Sequence, residues 1–383
     1  MFFLRKISIV LAIVLCMPLG ISAVALSDNE ITAPSAVLID QKTGKVLYEK
    51  NAHEVRACAS ITKVMTLTLV MEALDSGKIS LSDTVTASEH ASSMGGSDIW
   101  LEVGETMTVD EMIKATVVAS ANDAAVALAE YLCGTEEEFV AQMNKKAKEL
   151  GMKETVFKNC NGLDEDGHVT SAYDVAVMSR ELTKHKKIYD YSNIWMDTLR
   201  GGKTQLVNTN KLLKSYRGIT GLKTGTTSKA GSCISATAER DGLSLIAVVL
   251  GSQTGKSRFT DASKILDYGF ANYGMYTPKV PEGAVTDISV KNGMTDKIKT
   301  NAKIDTSFLI KKGEGEKISS EIVLPQEIDA PVEKGAVVGK IIYKSGGKQI
   351  AEYPITAAEN AEQINFFEIF GMIFRSISGN IVV

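Results

Sequence analysis

The rhythm of apolar and polar positions changes along the chain, and each rhythm predicts a different element. Residues 7–19 form a mainly apolar run behind Arg5 and Lys6, and Ala23-Val24-Ala25 then offers small residues at the two positions a signal peptidase inspects. This is the layout of a secretory signal peptide, so residues 1–25 are set apart from the fold. The run is short for an uncleaved membrane span, and bulky Leu15 before Cys16 argues against a lipid-attachment site. Next, SAVLIDQKTGKVLYEKN places two strand-like runs around Thr43-Gly44, a hairpin signal. A helical period follows, predicting a helix from Ser60 to about Leu74 with Ser60 as N-cap or first-turn residue. It also predicts two helices with a break near Ser120, one ending at Gly151, and one over SAYDVAVMSRELTKH. Thr108 and Glu111 have the spacing of a capping box.

Strand-like runs return in GITGLKTGTTSKAGSCISATAERDGLSLIAVVLGS, where Asp241-Gly242 marks a tight turn. RFTDASKILDYGFANY then closes the region as a helix. Strands at both ends of a helical middle predict an α+β fold over residues 26–276. One antiparallel sheet, its first and last parts together, would be flanked by helices. From 277 to 358 only short alternating runs with Gly, Lys and Asp turns remain, which predicts a small all-β domain. Residues 359–383 end the chain as an amphipathic helix. Phe366, Phe367, Phe370, Ile373, Phe374, Ile377 and Ile381 fall on one side, and Asn365, Glu368 and Arg375 on the other. Such a helix suits a membrane surface, because Glu368 and Arg375 make a full span costly. Docking on the β domain is the alternative.

Composition narrows the class. At 383 residues, 44% hydrophobic and 23% charged, the chain is long and apolar enough for two folded domains. A net charge of -4 without any basic block excludes nucleic acid as a natural partner. Cys58, Cys133, Cys160 and Cys233 are dispersed, as are the four histidines, with no metal-ligand spacing. No metal or cofactor is therefore expected, and the thiols read as buried or idle.

The stretch ACASITKVMTLTLVMEAL sets Ser60 and Lys63 one helical turn apart in apolar surroundings. A serine hydroxyl is a weak nucleophile until a neighbour takes its proton. A lysine amine can do so when burial or a nearby cation lowers its pKa. A surface lysine beside a capping serine has the same spacing, so other signals must decide. Ser120-Ala121-Asn122 sits at the helix break, where its side chains can enter a cleft. Lys223-Thr224-Gly225 lies on a strand-like run with Gly218 and Gly221, where glycine lets a substrate backbone approach. Ser-x-x-Lys with these two partners is the signature set of penicillin-binding proteins and class A β-lactamases.

ASITKVMT, SMGGSDIWLEVGE, ASANDAAVALAE, FVAQMNKKAKELGMKETVFKN, GLKTGTTSKAGSCISATAERDG and SRFTDASKILDYGF follow one another over about residues 33–275. In that order they resemble the low-molecular-weight penicillin-binding proteins that act as D-alanyl-D-alanine carboxypeptidases, especially Gram-positive forms. The resemblance implies a serine peptidase that removes the terminal D-alanine from the peptidoglycan pentapeptide stem and is acylated by β-lactam antibiotics. By position, it implies that Ser60 is the acylated nucleophile and Lys63 its general base. Ser120 would relay a proton to the leaving amine, Asn122 would hold the substrate amide, and Lys223 would supply positive charge. The backbone N–H groups of Ser60 and Thr226 would form the oxyanion hole, with Thr224, Gly225, Thr226 and Arg258 in the substrate site. With residues 1–25 as a signal peptide and the terminal amphipathic helix, the sequence predicts an exported protein on the extracellular face of the cell membrane. Ala121 and Thr226 depart from residues common in relatives, which bears on substrate preference.

Two rival readings share the motifs. A class A β-lactamase would carry Glu-x-x-Leu-Asn between Asn122 and Lys223, and no such element is present. A penicillin sensor would be acylated without turnover, and would be expected to carry spanning segments and an intracellular domain. His168, in GLDEDGHVTSAYD, reads as a structural hydrogen-bonding residue. Cys58 reads as a bystander to Ser60. Glu136, Glu137 and Glu138 read as the solvated first turn of a helix.

Overall fold

The structure, a computed structural model, describes residues 26–313 and 317–378, so the expected signal peptide and residues 379–383 lie outside the described residues. Strands β1 (Ser35–Asp40) and β2 (Val46–Lys50) form the hairpin expected around Thr43-Gly44. Three later strands, β3 (Ile219–Thr227), β4 (Gly231–Arg240) and β5 (Leu243–Ser252), complete a sheet of order β2-β1-β5-β4-β3, antiparallel throughout. The ends of the region do meet: Val37 of β1 stands opposite Val248 of β5. Strand β3, which carries Lys223-Thr224-Gly225, lies at an edge and is open to a ligand on one side.

Side chains alternate across a strand, so an apolar run buried on both faces feeds two cores. Val37, Ile39, Ile246 and Val248 face a large core shared with α1 (Lys63–Asp75), α2 (Val109–Lys114), α3 (Asn122–Cys133), α4 (Glu136–Glu149) and α5 (Ala172–Leu182). Ala36, Leu38, Ala247 and Val249 face the other side, against Ala262, Ile265 and Leu266 of α6 (Gly255–Asn272). Each fully buried aliphatic side chain contributes roughly 1.5–3 kcal/mol.

The caps explain most helix starts. Thr108 Oγ1 accepts from Glu111 N at 3.2 Å while the Glu111 carboxylate accepts from Thr108 N at 2.9 Å, closing the capping box at α2. Ser171 caps α5 by accepting from Asp174 N at 3.1 Å. Two starts differ from expectation. Helix α1 begins at Lys63, because Ala59–Thr62 form a 3-10 turn with Ala59 at φ +52°, so Ser60 caps nothing. Helix α6 begins at Gly255, capped by Thr254, which draws Arg258 inside its first turn. Two short ribbons escaped the sequence pattern: Thr84–Thr86 with Thr106–Thr108, and Met196–Leu199 with Thr204–Val207.

After α6, Tyr273–Tyr276 pairs with Phe308–Lys311, so strand pairing crosses the expected boundary at 276. The rest of this region is a six-stranded sheet whose cores include Ile341, Tyr343, Tyr353 and Ile355, and Val290, Ile298, Ala357 and Ala361. Its pairing runs on to Ala361, opposite Val332, and Gln363, opposite Gly293. A final helix, α7, spans Phe366–Ser378. Among the described residues no helix is long and apolar enough to cross a membrane.

Candidate active site

Ser60 sits in the 3-10 turn that leads into α1, half-buried, against the edge strand β3. The turn and the strand approach so closely that a Cβ on Gly225 would lie 2.8 Å from both Cys58 O and Ser60 N. Glycine at 225 is thus required by the nucleophile turn itself rather than by a substrate backbone.

Lys63 is wholly buried, and its Nζ lies 3.1 Å from Ser60 Oγ, 2.5 Å from Asn122 Oδ1 and 2.6 Å from the Asn161 carbonyl. Burial drives its pKa down to about 7, and Cys160, Asp98 and Asp123 pull weakly the other way. A neutral amine has two N–H groups and one lone pair. The two carbonyl oxygens can only accept, so they take both protons and leave the lone pair facing Ser60 Oγ. The question of whether this lysine reaches water or is held inside is answered by the fold: it is held inside, at a serine.

Ser120 stands where helix geometry breaks. A wide π-type turn over Ala115–Ala119 ends at Ser120, which takes a left-handed conformation at φ +65° before α3 starts at Asn122. A non-glycine residue in this region is strained and marks a site where the surroundings dictate conformation. Ser120 Oγ accepts from Lys223 Nζ at 2.8 Å, and Lys223 also donates to Thr224 O at 2.9 Å. Asn122 is held by donating to Gly95 O from its side chain and to Ser97 O from its backbone, both at 2.6 Å. The carboxylate of Asp123 in turn accepts from Ile99 N and Leu101 N, tying that wall of the cleft to α3.

Lys223 is buried, and its pKa falls well below the ordinary value, first through burial, then through repulsion by Lys63 and Arg258. Burial thus works against the positive charge expected of Lys223, and a neighbouring carboxylate would favour it. Arg258 directs Nη1 at Gly225 O (2.9 Å), Thr226 Oγ1 (2.8 Å) and Cys233 O (3.4 Å), and its Nε is buried without a partner. It braces β3 at the site instead of capping a helix at the surface. Thr224 Oγ1 donates to Thr209 Oγ1 at 2.6 Å, and Thr226 is exposed toward solvent.

All nine sequence-derived residues thus gather on β3, the nucleophile turn and the α3 start, with Arg258 behind the strand. Missing from that set were Asn161, whose carbonyl holds Lys63, and Gly162, packed against Ala59 O. A backbone carbonyl leaves no mark in side-chain pattern; the Asn161-Gly162 pair was the available hint. Among the described residues no group of three or more His, Cys, Asp and Glu converges on a metal position. Cys58, Cys133, Cys160 and Cys233 are free thiols, and burial pushes Cys58 up to about 12, which makes it a poor nucleophile.

A buried lysine turned on a serine, together with a second serine–lysine pair whose lysine lies on the edge strand, defines a serine acyl-transfer enzyme of the penicillin-binding type. Residues 22–254 match the peptidase family S11, D-alanyl-D-alanine carboxypeptidase, and residues 275–363 match the penicillin-binding protein 5 C-terminal domain. The chain belongs to this D-alanyl-D-alanine carboxypeptidase family. It is 45% identical over 372 residues to the D-alanyl-D-alanine carboxypeptidase DacF of Bacillus subtilis, covering 94% of this chain and 96% of that one. Penicillin-binding protein 5 from Haemophilus influenzae is similar in structure, with a TM-score of 0.73 at 31% identity over 88% of this chain and all of that one. Penicillin-binding protein D2 of Listeria monocytogenes, solved with ampicillin bound, gives a TM-score of 0.58 at 34% identity, covering 64% of this chain and 100% of that one.

Proposed function

We propose that this carboxypeptidase cleaves the terminal D-alanine from peptidoglycan stem peptides through an acyl-enzyme at Ser60. The observation that carries the proposal is Lys63, buried with a pKa near 7, at 3.1 Å from Ser60 Oγ with both its N–H groups occupied elsewhere. Ser60 Oγ attacks the carbonyl of the penultimate D-alanine and passes its proton to the Lys63 lone pair. The developing oxyanion is met by the N–H groups of Ser60 and Thr226, where fixed donors stabilise developing charge best. As the C–N bond breaks, the proton that Lys63 took from Ser60 passes to the leaving amine by way of Ser120 and Lys223, and Lys63 is neutral again. Asn122 holds the substrate amide, while the free carboxylate lies toward Thr224, Thr226 and the positive field of Lys223 and Arg258. Water then attacks the ester, neutral Lys63 takes its proton and hands it to Ser60 Oγ as the ester C–O bond breaks, and both side chains return to their starting forms. A β-lactam presents an amide carbonyl to the same serine.

The test is D-alanine release from a synthetic stem pentapeptide. The wild type releases one D-alanine per peptide and the Ser60→Ala variant none. A wild type that is acylated by penicillin but releases no D-alanine is a sensor, and one that hydrolyses penicillin rapidly is a lactamase.

The chain's place is proposed to be the outer face of the cell membrane, after export directed by residues 1–25. The support is α7, where Phe366, Phe367, Phe370 and Ile373 stand 74%, 84%, 60% and 52% exposed. Four large apolar side chains left in solvent on one short helix suit insertion into a lipid interface. Vesicle sedimentation tests this directly: α7 removed, the protein should stay in the supernatant.

A further inference from the structure

The candidate is a histidine that the chemistry above does not use. His168 is 4% exposed, behind the nucleophile turn, with its ring edge toward Phe157 at 5.9 Å. Its Nδ1 lies 3.1 Å from Lys158 N and its Nε2 lies 2.7 Å from Thr62 Oγ1. A backbone N–H can only donate, so Nδ1 is the acceptor and carries no proton. In the neutral ring the proton is then on Nε2 and points at Thr62. Burial supports that neutral form by holding the pKa down at about 4, against a weaker upward pull from Glu165 and Asp164. Thr62 Oγ1 passes its own single proton to Ala59 O at 2.9 Å, and the Cys58 thiol lies 3.4 Å from the same oxygen. The bonds therefore run one way, from Lys158 N–H through His168 and Thr62 to the Ala59 carbonyl.

That carbonyl shares a peptide group with Ser60 N–H. The peptide unit is planar, with C=O and N–H pointing in opposite directions, so fixing one fixes the other. The same peptide follows Ala59 at φ +52°, a conformation that a non-glycine residue keeps only under constraint from its surroundings. Hydrogen bonds in a chain also polarise one another, which sharpens the N–H as a donor. We infer that His168 is a positioning residue for the reaction: through Thr62 it aims the Ser60 amide at the oxyanion. The inference rests on the acyl-enzyme reading of Ser60 proposed above.

The experiment compares His168→Ala, His168→Gln and Thr62→Val with the wild type in the full-length exported chain. Measured are the penicillin acylation rate per folded molecule, kcat and KM for D-alanine release, the Ki of a peptide boronic acid that forms a tetrahedral adduct on serine, and the thermal midpoint. Gln carries an acceptor and a donor at a separation close to that of the imidazole nitrogens. Removing an oxyanion donor outright costs about 10²–10³ in rate, so misaiming one should cost about 10–100-fold. Expected for His168→Ala and Thr62→Val is that loss in acylation and kcat, with KM little changed, boronic acid affinity falling in step, and His168→Gln recovering most of it. Folded His168→Ala and Thr62→Val that acylate at the wild-type rate per folded molecule overturn the inference, whatever their thermal midpoints. Loss of kcat without loss of boronic acid affinity overturns it as well. A Ser60→Ala control that still labels with penicillin would instead remove the acyl-enzyme reading beneath it.

Discussion

Gly162→Ala is a small substitution at a place where the structure has no room. Gly162 has φ +90°, and an added Cβ would lie 2.0 Å from Ala59 O, 2.4 Å from Ala59 C and 2.8 Å from Ser60 N. Cβ atoms do not approach other heavy atoms closer than 3.0 Å, so the loop and the nucleophile turn must part by about 1 Å. The left-handed conformation alone costs an alanine about 1–3 kcal/mol. In a domain of this size each kcal/mol lowers Tm by about 2–4 °C. The loop carries Asn161 O, which holds Lys63, and Ala59 O belongs to the peptide that carries Ser60 N–H. Separation therefore displaces the base and the nucleophile together, and a misplacement of about 1 Å can cost about 10²-fold in rate. The assay is stopped-flow acylation by a fluorescent penicillin, paired with a thermal melt to count folded molecules. A Gly162→Ala protein that acylates within about threefold of the wild type refutes the close-packed turn as the source of reactivity.

The remaining predictions concern charge and attachment. Lys63→Arg should abolish penicillin labelling, because arginine does not give up its proton near neutral pH, while Lys223→Arg should keep part of it; gel fluorescence after labelling distinguishes them. Wild-type acylation should rise with pH up to a plateau, with its inflection near 7, because the Lys63 ammonium predominates below that pKa and has no lone pair for Ser60; a flat profile from pH 5 to about 9 would speak against a lysine base. A carboxylate-terminated ligand binding to Ser60→Ala should take up protons over the pH range in which Lys223 titrates, since its charge raises the depressed pKa of Lys223; calorimetry in buffers of different ionisation enthalpy reads this directly. A chain ending at Asn365 should lose vesicle binding and keep its Tm, because β-domain pairing already ends at Gln363; cutting at Ala358 would instead remove Ala361 from the domain core.

The sheet and its helices were visible in sequence because their signals are local. The apolar runs in SAVLID and SLIAVVLG, the box at Thr108 and Glu111, and the turn at Asp241-Gly242 each act over a few residues. The site was visible for a different reason: Ser60-x-x-Lys63, Ser120-Ala121-Asn122 and Lys223-Thr224-Gly225 together resemble a known motif set. What stayed hidden is contact between groups far apart in the chain. Asn161 O reaches Lys63 across 98 positions, and Thr62 meets His168 across 106. Ser60 was read as a helix cap because Ser before an apolar helix usually is one, but Gly225 and Gly162 hold its turn in a tighter shape. The pull of burial and of nearby Arg258 against the Lys223 charge has no sequence signal, because it arises only once α6 packs behind β3.

The most direct test of the acyl-enzyme is to find it. The protein is incubated with benzylpenicillin, quenched in acid, digested and mapped by mass spectrometry. A single penicilloyl adduct on the peptide containing Ser60, absent from Ser60→Ala and from Lys63→Arg, is the predicted result. An adduct on any other residue, or one that persists in Ser60→Ala, contradicts the account.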